Sequence, residues 1–208
     1  MGNSYSAQHA DAKPIAAIDA RFCESNQFVM LCERPPASSS DSAFLDSRSD
    51  AVRFEIQRRA FTRRHTLVDA HGATIANFKD SSASSDRPVT HVYRGEGCEG
   101  PELFQIQSQH QSDGSTSLRV AFINVMTDKP CEMGFEGDWC HRDGLFWLNR
   151  DCSGARKPVT KLCCSDSVDR HRFKVEIAPN VDLAVVVVVC GLLQDREWRN
   201  ERSLVGSL

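Results

Sequence analysis

Between Leu183 and Leu193 the chain runs for eleven residues without a charged or strongly polar side chain, and five of them are consecutive valines. A helix apolar on every face must be buried on every face, so the rest of the chain has to enclose this segment. A bilayer span needs about 20 apolar residues. The run is therefore a core segment and not a transmembrane helix. Its conformation is less settled. The valines favour a strand by propensity. Asn180 and Asp182, however, are suited to cap a helix N-terminus, and the stretch from Asn180 to Gln194 is long for a strand. On the residues alone, strand and helix stay open.

Elsewhere the chain alternates short candidate strands with turn residues. Val52, Phe54 and Ile56 share one face at period two. Further candidate strands are His65–Val68, Ala73–Phe78, His91–Tyr93, Leu103–Gln107 and Leu118–Phe122. Cys131–Glu136, Leu145–Leu148, Pro158–Cys163 and Arg172–Ile177 continue the series. Asp69-Ala70-His71-Gly72 reads as a hairpin turn, because glycine supplies a positive φ at low cost; Asp113-Gly114 and Asp143-Gly144 read as turns too. Pro14–Met30 is weakly patterned, and Pro35–Ser40 and Ser81–Ser85 read as loop and linker. About ten short strands with frequent turns argue for a closed barrel or sandwich.

A chain of 208 residues fits one domain of this kind. A net charge of -3 gives no general attraction to nucleic acid, so anion binding has to come from a local patch. The nine cysteines are irregularly spaced, with no C-x-x-C, and read as reduced thiols rather than a disulfide framework. The opening residues lack the positive cluster and apolar stretch of a secretory signal. A cytoplasmic or nuclear protein is expected.

Several segments resemble one plant family in order and spacing. Pro179-Asn180-Val181-Asp182-Leu183-Ala184, the valine run and Leu193-Gln194-Asp195-Arg196-Glu197 are similar to the C-terminal end of the LURP-one-related family. Arg196 stands between the acids, where the family joins them. Pro14-Ile15 with Arg21-Phe22-Cys23 resembles the family's opening. Leu67–Gly72, Val92-Tyr93-Arg94-Gly95-Glu96 with Leu103-Phe104, and Cys131-Glu132-Met133 with Gly137 look like its inner motifs. The resemblance covers residues 14 to 197 and implies a tubby-like closed β-barrel of about twelve strands around a buried hydrophobic C-terminal helix at about 180–195. It turns the ambiguous segment into a helix. The expected domain spans 14–199, with tails at 1–13 and 200–208. The resemblance also implies kinship with phospholipid scramblases and membrane-tethered transcription factors, and a role in plant defence.

Few residues point to chemistry. Met1-Gly2-Asn3-Ser4-Tyr5-Ser6 fits the N-myristoylation pattern with Gly2 as acceptor. One acyl chain anchors only marginally, so a second signal is needed. Arg58, Arg59, Arg63 and Arg64 form the dense basic cluster that can meet anionic headgroups. Cys131, Cys140, His141, Cys152, Cys163 and Cys164 lack the paired knuckles of a structural zinc site and read as strand cysteines. The carboxylates Asp138, Asp143, Asp151, Asp166 and Asp169 fall in turns, where aspartate bonds locally. Asp182 reads as a helix N-cap. The expectation is a non-enzymatic monomer without cofactor or metal, whose partner is an anionic membrane lipid or a protein. The alternatives are a soluble protein-interaction module and, third, a lipid-acting enzyme or scramblase.

Overall fold

The computed structural model describes residues 13–25, 29–34, 41–59, 64–80, 88–110, 116–164 and 173–205. Its strands are β1 (Val29–Arg34), β2 (Ser42–Asp46), β3 (Val52–Arg59), β4 (Arg64–Asp69), β5 (Thr74–Asp80) and β6 (Val89–Arg94). They continue as β7 (Glu102–His110), β8 (Thr116–Asn124), β9 (Lys129–Asp138), β10 (Asp143–Asn149), β11 (Arg156–Cys164) and β12 (Phe173–Ile177). One long helix follows, α1 (Leu183–Val205). Each strand pairs antiparallel with its sequence neighbour, and β1 also pairs with β12 through Val29↔Ile177 and Leu31↔Val175, giving a closed barrel.

The period-two pattern explains the wall. Along β8 the exposure alternates strictly, with Thr116, Leu118, Val120, Phe122 and Asn124 turned inwards. Inward phenylalanines from six strands (Phe44, Phe54, Phe78, Phe135, Phe146 and Phe173) are almost fully buried and meet α1 at the axis. From Leu183 to Leu193 every helix residue that carries a side chain is at most 3% exposed. Propensity alone would not hold five β-branched valines in a helix; burial of every face does. At Gly191 a Cβ would stand 2.1 Å from Ile56 Cδ1, so glycine there lets α1 come close to β3.

The mainly β architecture with a C-terminal helix is as expected, but four details differ. Helix α1 begins at Leu183 and runs on to Val205, into the expected tail. β1 lies partly inside the stretch read as weakly patterned, because Val29-Met30-Leu31-Cys32 shows no alternation. Asp143 and Gly144 open β10 instead of turning, and the turn falls just before them, where Arg142 takes a φ of 56°. Arg58 belongs to the inner face, as described below. The loop at Pro35–Ser40, the linker at Ser81–Ser85 and the turn at Asp113-Gly114 lie outside the described residues.

Residues 13–25 cross the N-terminal end of α1. Ile15 bridges Val181 and Cys23 bridges Asp182, and Ile15, Ala16, Ala17 and Ile18 are buried. This segment closes one mouth of the barrel. The helix leaves through the other.

Candidate functional site

Helix α1 fills the axis of the barrel, so functional surface has to be sought at its two ends and on its outer wall. The end around the helix start is built on Asp182. Its Oδ2 accepts the backbone N–H groups of Ala17, Ile18 and Asp19 at 3.1, 2.8 and 3.3 Å, and its Oδ1 accepts that of Ala184 at 3.0 Å. The expected N-cap role is one half of this arrangement; the other half ties residues 17–19 across the mouth. Burial pushes the carboxyl up to about 6, against the lowering pull of the N–H groups of Ile18, Asp19 and Ala184. The same burial, with the charge of Asp182 beside it, pushes the Cys23 thiol up to about 12.

The other end divides the basic cluster. Arg58 continues the inward parity of Phe54 and Ile56, and its side chain is only 7% exposed. Its Nε lies 3.7 Å from Asp195 Oδ1, and His65 Nε2 lies 3.6 Å from Asp195 Oδ2. The His65 ring stacks on Phe78 with centroids 4.9 Å apart. Arg58 is thus turned inwards to Asp195 on the helix, whereas the expectation had it in the exposed basic cluster. Arg59 and Arg64 pair across β3 and β4 at the same end and are exposed. Arg63 lies outside the described residues, as does Gly2.

Where α1 emerges, consecutive helix residues reach different parts of the wall. Asp195 turns to β3 and β4, and Arg196 reaches Ser108 Oγ on β7 and, at 3.4 Å, Thr90 Oγ1 on β6. Arg142 donates to Gln194 Oε1 at 3.1 Å, to Glu197 Oε2 at 2.9 Å and to the Trp139 carbonyl at 2.8 Å. The guanidinium also lies over the Trp139 and Phe173 rings. The Gln-Asp-Arg-Glu ending that carried the resemblance is therefore a polar seal between helix and wall, with Arg196 as a member of it.

Outside the barrel, two concavities share Cys131. One, of about 510 Å³, runs over β7, β8 and β9 and is lined by Leu103, Ala121, Ile123 and Pro130 together with Gln107 and Arg119. The other, of about 410 Å³, lies at the helix-start end between Lys13, Met126, Lys129 and Arg150. Cys131 is buried and Cys152 exposed, and burial pushes the Cys131 thiol up. Among the described residues no three histidine, cysteine or acidic side chains come together as a metal set, and no helix is long and apolar enough to cross a membrane. Sequence reasoning missed Lys129, Arg150 and the apolar tip of the β8–β9 hairpin. A signal was present: Asn124-Val125-Met126-Thr127-Asp128-Lys129 puts apolar residues in a turn, against the polar composition of turns.

No curated protein and no solved structure matches the chain significantly. A family model described as LURP-one-related matches residues 27–194, which takes in all of the barrel strands and the buried part of α1. The chain belongs to the LURP-one-related family.

Proposed function

We propose that this LURP-one-related chain is a non-enzymatic protein that acts from the outside of its barrel, at a membrane lipid surface. The observation that carries the reading is the filled axis: Leu183–Leu193 occupies the space where a barrel would otherwise hold a ligand or a path for lipid. A lipid-acting enzyme or scramblase working through the interior would have to displace that helix. The wall around an apolar C-terminal helix, with the family resemblance, supports kinship with tubby-like proteins, phospholipid scramblases and membrane-tethered transcription factors, and a part in plant defence. That kinship rests on fold, and fold does not fix function.

The test is vesicle co-sedimentation of the full chain, with phosphatidylcholine alone and with added phosphatidylserine or phosphoinositide. Binding to the anionic vesicles is expected. Absence from every pellet would sink the membrane reading and leave a soluble protein-interaction module. Gly2 enters as the candidate second signal. Chain produced with an N-myristoyltransferase should gain the mass of one acyl group and sediment more completely, and Gly2→Ala should do neither.

A further inference from the structure

The described large hydrophobic side chains are buried with few exceptions, and three of the four exposed ones lie together. Ile123, Val125 and Met126 are each about half exposed, and Leu145 less so. The first three belong to the β8–β9 hairpin, beside the mouth closed by residues 13–25. Exposed apolar residues grouped at a rigid tip mark an interaction surface more often than scattered ones do.

The tip is held in shape. Asn124 Oδ1 accepts the N–H groups of Ala16 and Met126 at 3.2 and 3.1 Å, and its Nδ2 donates to the Pro14 carbonyl at 3.2 Å. Val125 N–H donates to the Ala16 carbonyl at 2.9 Å, and Asp128 takes a φ of 54° to complete the turn. Buried Asn124 thus ties the hairpin to the segment that covers the helix start.

Three cations surround the concavity behind the tip. Arg150 Nη1 donates to the Lys13 carbonyl at 2.9 Å, while its Nη2 is buried with no hydrogen-bond partner among the described residues. A guanidinium N–H without a protein acceptor, at the lining of an open concavity, is available to an anion or to water. Lys129 and Lys13 line the same concavity, and Lys129 Nζ lies 3.3 Å from Asp151 Oδ2. Both partners of that pair are more than half exposed, so it holds Lys129 weakly and a phosphate can replace it. The acidic neighbours Asp128 and Asp151 leave the cluster with a surplus of one positive charge (three cations less two anions).

We propose that this end of the barrel docks on an anionic phospholipid bilayer, with Val125, Met126 and Ile123 entering the interfacial layer and a lipid phosphate held by Arg150, Lys129 and Lys13. Apolar tip and basic collar match the order of a leaflet met from water, charge first and hydrocarbon beneath. The inference rests on the membrane reading above and locates it. It also moves the contact away from Arg59 and Arg64, which sit at the opposite end of the buried helix, roughly 18 Å along its axis.

The experiment uses the full chain without its acyl group and vesicles of phosphatidylcholine with phosphatidylserine. Val125→Asp/Met126→Asp and, separately, Lys129→Glu should each weaken sedimentation, the former by at least about tenfold. These positions are solvent-facing, so melting temperature should hardly move. As a second readout, the emission of Met126→Trp should shift to the blue on vesicles while the native chain's emission stays nearly unchanged. If the native chain binds and the hairpin variants bind equally, or the introduced tryptophan stays in water, the inference fails and the membrane reading survives. Loss of binding only in Arg59→Glu/Arg64→Glu would overturn it in the same way. If no vesicle binds, both fall, and inorganic phosphate binding at Arg150 without vesicles would mark a site for a soluble anion.

Discussion

At the scale of single residues, Asp182 shows how one buried carboxylate can fix two elements. Removing it in Asp182→Ala strands the N–H groups of Ala17, Ile18 and Ala184 in the interior, and the expected loss is on the order of 3 kcal/mol or more in urea unfolding. Its titration has a definite sign. The folded carboxyl takes up a proton near 6 and the unfolded one near its ordinary 3.8, so the folded state binds more protons between these values. The contribution of Asp182 to stability therefore improves as pH falls from 7 towards 4. The melting-temperature difference between the native chain and Asp182→Asn should widen in favour of the native chain over that range. A difference that is flat or shrinks would show that the N–H groups hold the anion better than burial penalises it. The sequence offered Asp182 as a helix cap, which it is; its second partner, residues 17–19, is more than 160 positions away and no local pattern announces it.

Among the elements, the wall was legible wherever one face meets the core and the other meets water, as in β3 and β8. It was not legible in β1, whose apolar run carries no period. Arg58 is the instructive failure. The parity of Phe54 and Ile56 already put it on the inner face, but a run of arginines reads as solvated surface until a buried acceptor, Asp195, is known. Helix α1 was ambiguous for a comparable reason: its valines speak for a strand, and only enclosure by a wall makes a helix the better burial. That enclosure is tight at one point. Gly191→Ala gains about 1 kcal/mol of helix propensity but forces the Ile56 methyl aside, for an expected net loss of about 1–2 kcal/mol. Ile56→Val removes that methyl, so the double variant should be no less stable than Ile56→Val alone. Additive losses in denaturant melts would mean that the contact is not the cause.

For the whole molecule, the sequence conveyed a barrel around a plug but not that its two ends differ. One is sealed by side-chain charges on α1; the other is tied down by the Asp182 and Asn124 side chains bonding backbone groups, and presents an apolar tip. The thiols report the integrity of both. Cys140 and Cys152 are exposed, whereas Cys131 and Cys190 are buried and Cys23 ionises only near 12. Brief treatment of the native chain with iodoacetamide at pH 8 should alkylate Cys140 and Cys152 and spare Cys23, Cys131 and Cys190, as read by peptide mass mapping. Early labelling of Cys23 would show that residues 13–25 lift from the mouth. The pairing of β1 with β12 has a temporal consequence. A chain emerging from the ribosome makes its first strand about 140 residues before that strand's second partner, and the plug comes after both. Until the valines are synthesised, the inner phenylalanines have nothing to close upon. Nascent chains halted before Leu183 should therefore depend on chaperones, and a stop codon there should yield insoluble protein even though every strand is present.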